Sequence, residues 1–196
     1  MGADIVFYDT EYTSWEGAHE NNWGEPWQKK ELVQIGAIRF DLEELKERET
    51  FSILVKPEIN PVLSDYFINL THITNEDVEE HGVTFGVAYK KFLSFVKGLP
   101  LAAYGTDDEI IRENMALHGM LKTPDDFRSF NINPWFQEHG AAHGITRTTT
   151  SGALASALGL SLGDDHHVHN ALDDVHSICA AYTFLRKKDA PPPPHI

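Results

Sequence analysis

Asp9 and Glu11 stand two residues apart where the apolar run DIVFYD (4–9) ends. Side chains two apart on an extended chain point to one side, so both carboxylates can converge on one spot. Close carboxylates repel and raise each other's pKa unless positive charge lies between them. A hard divalent cation such as Mg²⁺ supplies that charge and prefers oxygen ligands. Taken alone, D-T-E is a weak signal, and a solvated strand end with two ordinary acids is the better reading.

A second set lies in HNALDDVHS, where His169 precedes a helix with apolar residues at Leu172, Val175, Ile178, Cys179, Tyr182 and Leu185. At about 100° per residue these share a face, with Asp174 about 90° and Asp173 about 170° from its centre. Asp174 can therefore reach a cleft at the edge of the packed face, whereas Asp173 faces solvent and stabilises the first turn. A third set, Tyr104-Gly105-Thr106-Asp107-Asp108, lies at a strand-to-helix junction. Local geometry does not separate its acids: either can cap the helix or bind a cation.

The elements that must position these groups follow from the pattern. Strands are predicted at 4–9, 32–40 and 50–56, with a polar loop at 13–30 between the first two. These three strands form an antiparallel meander. Helices are predicted at 62–70, 75–81 and 84–97, the last ended by Gly98. A strand at 100–104 then runs into a helix reaching about residue 119. A fifth strand near 128–132, short helices near 134–139 and 151–158, and a long helix at 171–187 complete the order. Strands first, then alternation, implies an α/β fold with a mixed five-stranded sheet covered by helices. The tail APPPPHI cannot continue a helix and reads as an extended, disordered end over 189–196.

The 196 residues suffice for one domain over 1–188. No segment has the long uncharged apolar run of a membrane span. The single cysteine, Cys179, excludes an intrachain disulfide and a cysteine zinc cluster, which points to a reducing, cytoplasmic setting. Thirty acidic residues against 16 basic ones give a formal net charge of −14. That balance opposes tight non-specific binding to long duplexes, which needs many neutralised phosphates. Bound divalent cations outweigh it locally, so the acidity either favours short or single-stranded nucleic acid or is simply that of a soluble bacterial-type surface.

In this order, D-x-E, YGTDD and H-x4-D resemble the DEDDh exonucleases of the ribonuclease H-like superfamily. LVQIGAIRF resembles that family's second strand, and LTHITNEDV (70–78) its L-T-x-I-T motif. The resemblance covers about residues 4–187 and implies a ribonuclease H-like sheet. It implies a 3′→5′ exonuclease with metal ligands at Asp9, Glu11, Asp108 and Asp174, choosing Asp108 over Asp107. It gives His169 the role of general base, a task suited to a side chain type that titrates near neutrality. Two Mg²⁺ or Mn²⁺ ions would bind across the carboxylates and stabilise charge on the phosphate. By the same resemblance Thr10, Glu11, Tyr12, Gln34, Leu70, Thr71, Ile73 and His169 contact the terminal nucleotide. Small family members often pair, so a homodimer is expected as well.

Other features read more plainly. His166 and His167, beside Asp164 and Asp165, belong to the loop carrying His169 rather than to a transition-metal cluster. Trp15, Trp23 and Trp27 fall in the 13–30 loop, which is longer than in many family members; they either pin the loop as a small apolar cluster or stack on bases. The pairs Lys29–Lys30, Lys90–Lys91 and Lys187–Lys188 read as solvated surface. No serine-hydrolase elbow, phosphate loop or dinucleotide fingerprint occurs. The competing reading is a catalytically idle nucleic-acid-binding or interaction module on the same fold, although binding alone would not need four converging acids.

Overall fold

The computed structural model describes residues 4–120, 127, 129–164 and 166–194. The expected position 128 of the fifth strand, Asp165, and tail residues 195 and 196 lie outside the described residues. The strands are β1 (Asp4–Tyr12), β2 (Leu32–Asp41), β3 (Lys46–Leu54), β4 (Leu101–Ala103) and β5 (Ser129–Asn131). The helices are α1 (Asp65–Thr71), α2 (Asn75–His81), α3 (Phe85–Val96), α4 (Asp107–Leu117), α5 (Asn133–Gly140), α6 (Leu154–Ala157) and α7 (Ala171–Arg186). The sheet order is β3-β2-β1-β4-β5. The first three strands pair antiparallel, while β4 joins β1 and β5 joins β4 in parallel. This is the mixed five-stranded sheet that the residue pattern predicts, with the ribonuclease H-like arrangement that the resemblance implies.

β1 is central, flanked by β2 and β4, and its run Ile5 to Tyr8 is fully buried. A strand covered on both faces reads as continuous apolar sequence, and alternation decides which face each residue serves. Ile5 and Phe7 pack with Val175, Ile178 and Tyr182 of α7, joined by Ile38 and Phe40 of β2. Val6 and Tyr8 pack on the other face with Phe92 of α3 and with Ile110, Ile111 and Met115 of α4. A smaller cluster of Val33, Leu63, Phe67, Ile73 and Val78 seats α1 and α2.

Local signals set the helix starts. Thr74 caps α2 in a reciprocal capping box with Asp77. The Asn170 side chain accepts hydrogen bonds from the Leu172 and Asp173 amides and opens α7. Beyond α7, the Pro191 carbonyl accepts a 2.8 Å hydrogen bond from the Trp135 indole. Among the described residues, no helix is long and apolar enough to cross a membrane.

Candidate active site

The alternation of β1 carries past its apolar run. Asp9 and Glu11 continue the series of Ile5 and Phe7 toward the α7 face, while Thr10 continues that of Val6 and Tyr8 toward the α4 face. The strand end thus offers carboxylates to α7 and a hydroxyl to α4.

The start of α7 is brought to that strand end by β2. Gly36 lies opposite Asp9 in the ladder, and a Cβ there would fall 2.3 Å from the Ala171 carbonyl carbon and the Leu172 nitrogen. Only glycine permits this approach of helix backbone to sheet. Gln34, two residues earlier and opposite Glu11, accepts a 2.9 Å hydrogen bond from the Ala171 amide through Oε1. Its amide nitrogen donates to Ser52 Oγ at 3.2 Å. Gln34 is therefore buried under α7 and does not line the cleft, contrary to the expectation of a nucleotide contact.

Asp174, 2% exposed, then sits beside Asp9 and Glu11. Its Oδ2 accepts from Ser151 Oγ at 2.9 Å and its Oδ1 from the His169 amide at 3.0 Å. A Cβ on Gly152 would fall 2.2 Å from Oδ1, so the 150–152 turn presses directly on this carboxylate. Asp173 turns away, as its helical position requires, and accepts from the His167 amide at 3.1 Å. Glu11, His169 and Asp174 each offer a ligand atom within 4.8 Å of the others, a set able to hold a metal ion. His169 has φ 69°, left-handed backbone that is sparsely populated for a residue with a Cβ. Such strain is held by surrounding structure, here the amide bond to Asp174 and the Asn170 cap that follows.

On the opposite wall the choice between Asp107 and Asp108 is decided by contact. Asp107 Oδ1 accepts from Thr10 at both the amide, 3.0 Å, and the hydroxyl, 2.6 Å, and lines the cleft. Asp108 lies outside it, its carboxylate 3.6 Å from the Arg112 guanidinium one turn along α4. The expectation that Asp108 faces the site is therefore corrected to Asp107. The first helical position of α4 points back at the end of β1, while the second points along the helix surface.

These groups line a cleft of about 440 Å³ with Thr10, Tyr12, Ser14, Leu70 and Tyr104 among its other walls. Thr71 and Ile73 are not among its lining residues. The Thr71 hydroxyl donates to the Phe67 carbonyl at 3.0 Å and accepts from the Ile73 amide, closing α1, and Ile73 is core. Of that segment only Leu70, with Tyr66, faces the cleft. Trp23 and His19 of the 13–30 loop also line it, which the residue pattern left undecided.

The electrostatics are those of crowded acids. Burial pushes Asp9 well above the usual carboxylate range, and the charges of Asp107, Asp174 and Glu11 push it further. Glu11 is raised well above its ordinary value by burial, then by Asp174 and Asp107. Asp107 is raised to about 6 by burial, against the lowering effect of its Thr10 hydrogen bonds. Burial also raises Asp174, opposed by Ser151 and by the His169 amide. Burial and the same acids raise Tyr12 to about 12, so its phenol remains a neutral donor at the rim. Four hard oxygen donors held together against their own repulsion fit divalent cations.

A mixed sheet that gathers acids from a central strand and two helices around one histidine defines a nuclease-type centre on a ribonuclease H-like fold. The RNase T exonuclease family matches residues 6–182. The chain belongs to that exonuclease family. Human 3'-5' exoribonuclease 1 is 34% identical over 67 residues, a stretch covering 34% of this chain and 19% of that protein. The matched stretch is thus less than a fifth of the human protein. Among solved structures, the nuclease domain of 3'hExo bound to rAMP superposes with a TM-score of 0.78 at 24% identity, covering 96% of this chain and 94% of that one. A full-length 3'-exonuclease superposes with a TM-score of 0.78 at 26% identity, covering 96% and 62%.

Proposed function

We propose that the chain is a metal-dependent 3′→5′ exonuclease that removes nucleoside monophosphates from single-stranded or short RNA or DNA. Residues 1–188 act as its single exonuclease domain. The observation that carries this reading is the convergence of Asp9, Glu11, Asp107 and Asp174 around His169 in one cleft. Two Mg²⁺ or Mn²⁺ ions held by these carboxylates would supply positive charge to the scissile phosphate and acidify water beside it.

The chain's own residues do the rest. Water attacks the phosphorus of the terminal phosphodiester, a P–O bond forms, and the bond to the 3′ oxygen of the preceding nucleotide breaks. His169 takes the proton of the attacking water as general base, and the departing 3′ oxygen is protonated from solvent. The Asp174 carboxylate accepts the His169 amide and so fixes where the imidazole starts from. Thr10 holds Asp107 toward the cleft by two hydrogen bonds. Leu70 and Tyr66 offer an apolar wall to the terminal base, and Tyr12 a donor.

The test is nucleotide release from 5′-labelled single strands of RNA and DNA, with Mg²⁺, Mn²⁺ or EDTA. A ladder shortening from the 3′ end with either metal and none with EDTA is expected. If neither polymer is shortened under any metal condition, the reading is wrong.

A further inference from the structure

Behind Trp23 lies a second hollow of about 410 Å³, with walls formed by Trp23, Lys29, Lys30, Glu113, Ala116 and Leu117. Trp23 lines both this hollow and the carboxylate cleft, so one indole divides two adjoining spaces. The partition is fixed in place. Trp23 Nε1 donates to the Thr13 carbonyl at 2.9 Å, and the ring lies 5.4 Å from Tyr12 and 5.2 Å from His19. The Lys30 ammonium lies 4.6 Å from the indole centroid.

The lysine pair is likewise built in rather than loose surface. Asn114, 1% exposed in α4, donates to the Lys30 carbonyl at 2.8 Å and accepts from the Leu32 amide at 2.9 Å. The Thr13 hydroxyl donates to the Lys29 carbonyl, and the Glu31 amide donates to that hydroxyl. The loop return is thus tied to the same helix that presents Asp107. Both lysines are half-buried at the wall of the hollow, and Glu113 offsets part of their charge. In a chain of net charge −14, a cationic hollow adjoining the cleft is not the average of the surface.

Resting on the nuclease reading above, we propose that this hollow is a backbone subsite. Lys29 and Lys30 receive a phosphate upstream of the scissile bond, and Trp23 is the wall over which the strand passes. The 13–30 loop then makes the protein favour oligonucleotides that extend beyond the terminal pair. Aromatic walls tolerate any base, and paired cations read charge rather than sequence, so the subsite selects length.

The experiment compares kcat/KM for an unphosphorylated dinucleotide, whose only phosphate is the scissile one, with a pentanucleotide of the same repeat. In the Lys29→Ala/Lys30→Ala variant the pentanucleotide-to-dinucleotide ratio is expected to fall about tenfold, chiefly through KM, with a shallower salt dependence for the pentanucleotide. The backbone ties stay intact in that variant, and an unchanged Tm checks this. An unchanged ratio overturns the proposal. Photocrosslinking of 5-iodouridine, placed next to the 3′ end of a single strand, gives a readout free of turnover. Attachment at Trp23 supports the subsite even where no nucleotide is released, which would instead count against the nuclease reading. Attachment only elsewhere overturns the subsite.

Discussion

At the scale of single residues, the site turns on which acids face one another rather than on how many are present. Asp107 and Asp108 are adjacent, yet one is held by Thr10 at the cleft and the other lies against Arg112 on the helix surface. Asp107→Ala is therefore expected to lower metal-dependent turnover by at least about a hundredfold, the upper end of what even outer-shell partners of a metal cost. Asp108→Ala is expected to leave turnover nearly unchanged and to shift stability by less than about 1 kcal/mol, as for an exposed ion pair. Steady-state rates and melts of both variants check this, and equal losses would contradict the assignment. The distinction was not legible in the sequence, because both acids open the same helix and the deciding partner is 97 residues away. Asp174 against Asp173 was legible, since a regular helix fixes which of two neighbours reaches the packed face.

Among elements, the seat of α7 on β2 matters most. Gln34 and Gly36 occupy one face of β2 opposite Glu11 and Asp9, and together they admit the first turn of the helix. A methyl at Gly36 must push that turn away, because what it meets is backbone. Gly36→Ala is expected to cost about 1–3 kcal/mol as overpacking. It should also lower turnover by up to about a hundredfold, since small displacements of reacting groups are that costly. Denaturant melts and rates report the two losses separately; a variant as stable and active as the parent would refute the close approach. The strands and long helices followed from short apolar runs and helical spacing, although β1 runs on past the expected end at Asp9 to include Glu11, and β3 starts at Lys46. The role of Gln34 did not, because a polar residue inside an apolar strand does not announce whether its partner is a ligand or a helix amide. Thr71 and Ile73 were hidden in the same way, since a turn of helix shows one residue, Leu70, to the cleft and the next ones to the core.

For the whole molecule, the crowded acids link stability to pH and to cations. Asp9, Glu11, Asp107 and Asp174 all have folded-state values raised above those of ordinary carboxylates. A raised group contributes stability that is complete below its unfolded value and is lost as pH rises through its folded one. The metal-free protein should thus lose stability as pH rises from the acid range through the value of about 6 for Asp107, with Asp9 and Glu11 raised in the same direction. Cations compete with those protons, so their benefit grows over the same window. At a hundredfold excess over Kd, each Mn²⁺ bound only by the folded state adds about 2.7 kcal/mol. Melts at pH 5.0 and 8.0, with and without Mn²⁺, should show a rise of several degrees at 8.0 and a much smaller one at 5.0. Equal rises, or none at 8.0, would sink this linkage.

The hydrogen bond from the Ala171 amide to Gln34 closes a contact across 137 residues. That bond is buried, and the helix it seats packs Val175, Ile178 and Tyr182 against β1 and β2 in the main core, so it opens only near the free energy of global unfolding. Asp174 and His169 therefore keep their places until the β1–β2 face beneath α7 is itself exposed. Catalysis should accordingly fade at the same denaturant concentrations as the sheet, which makes the activity a gauge of the whole fold.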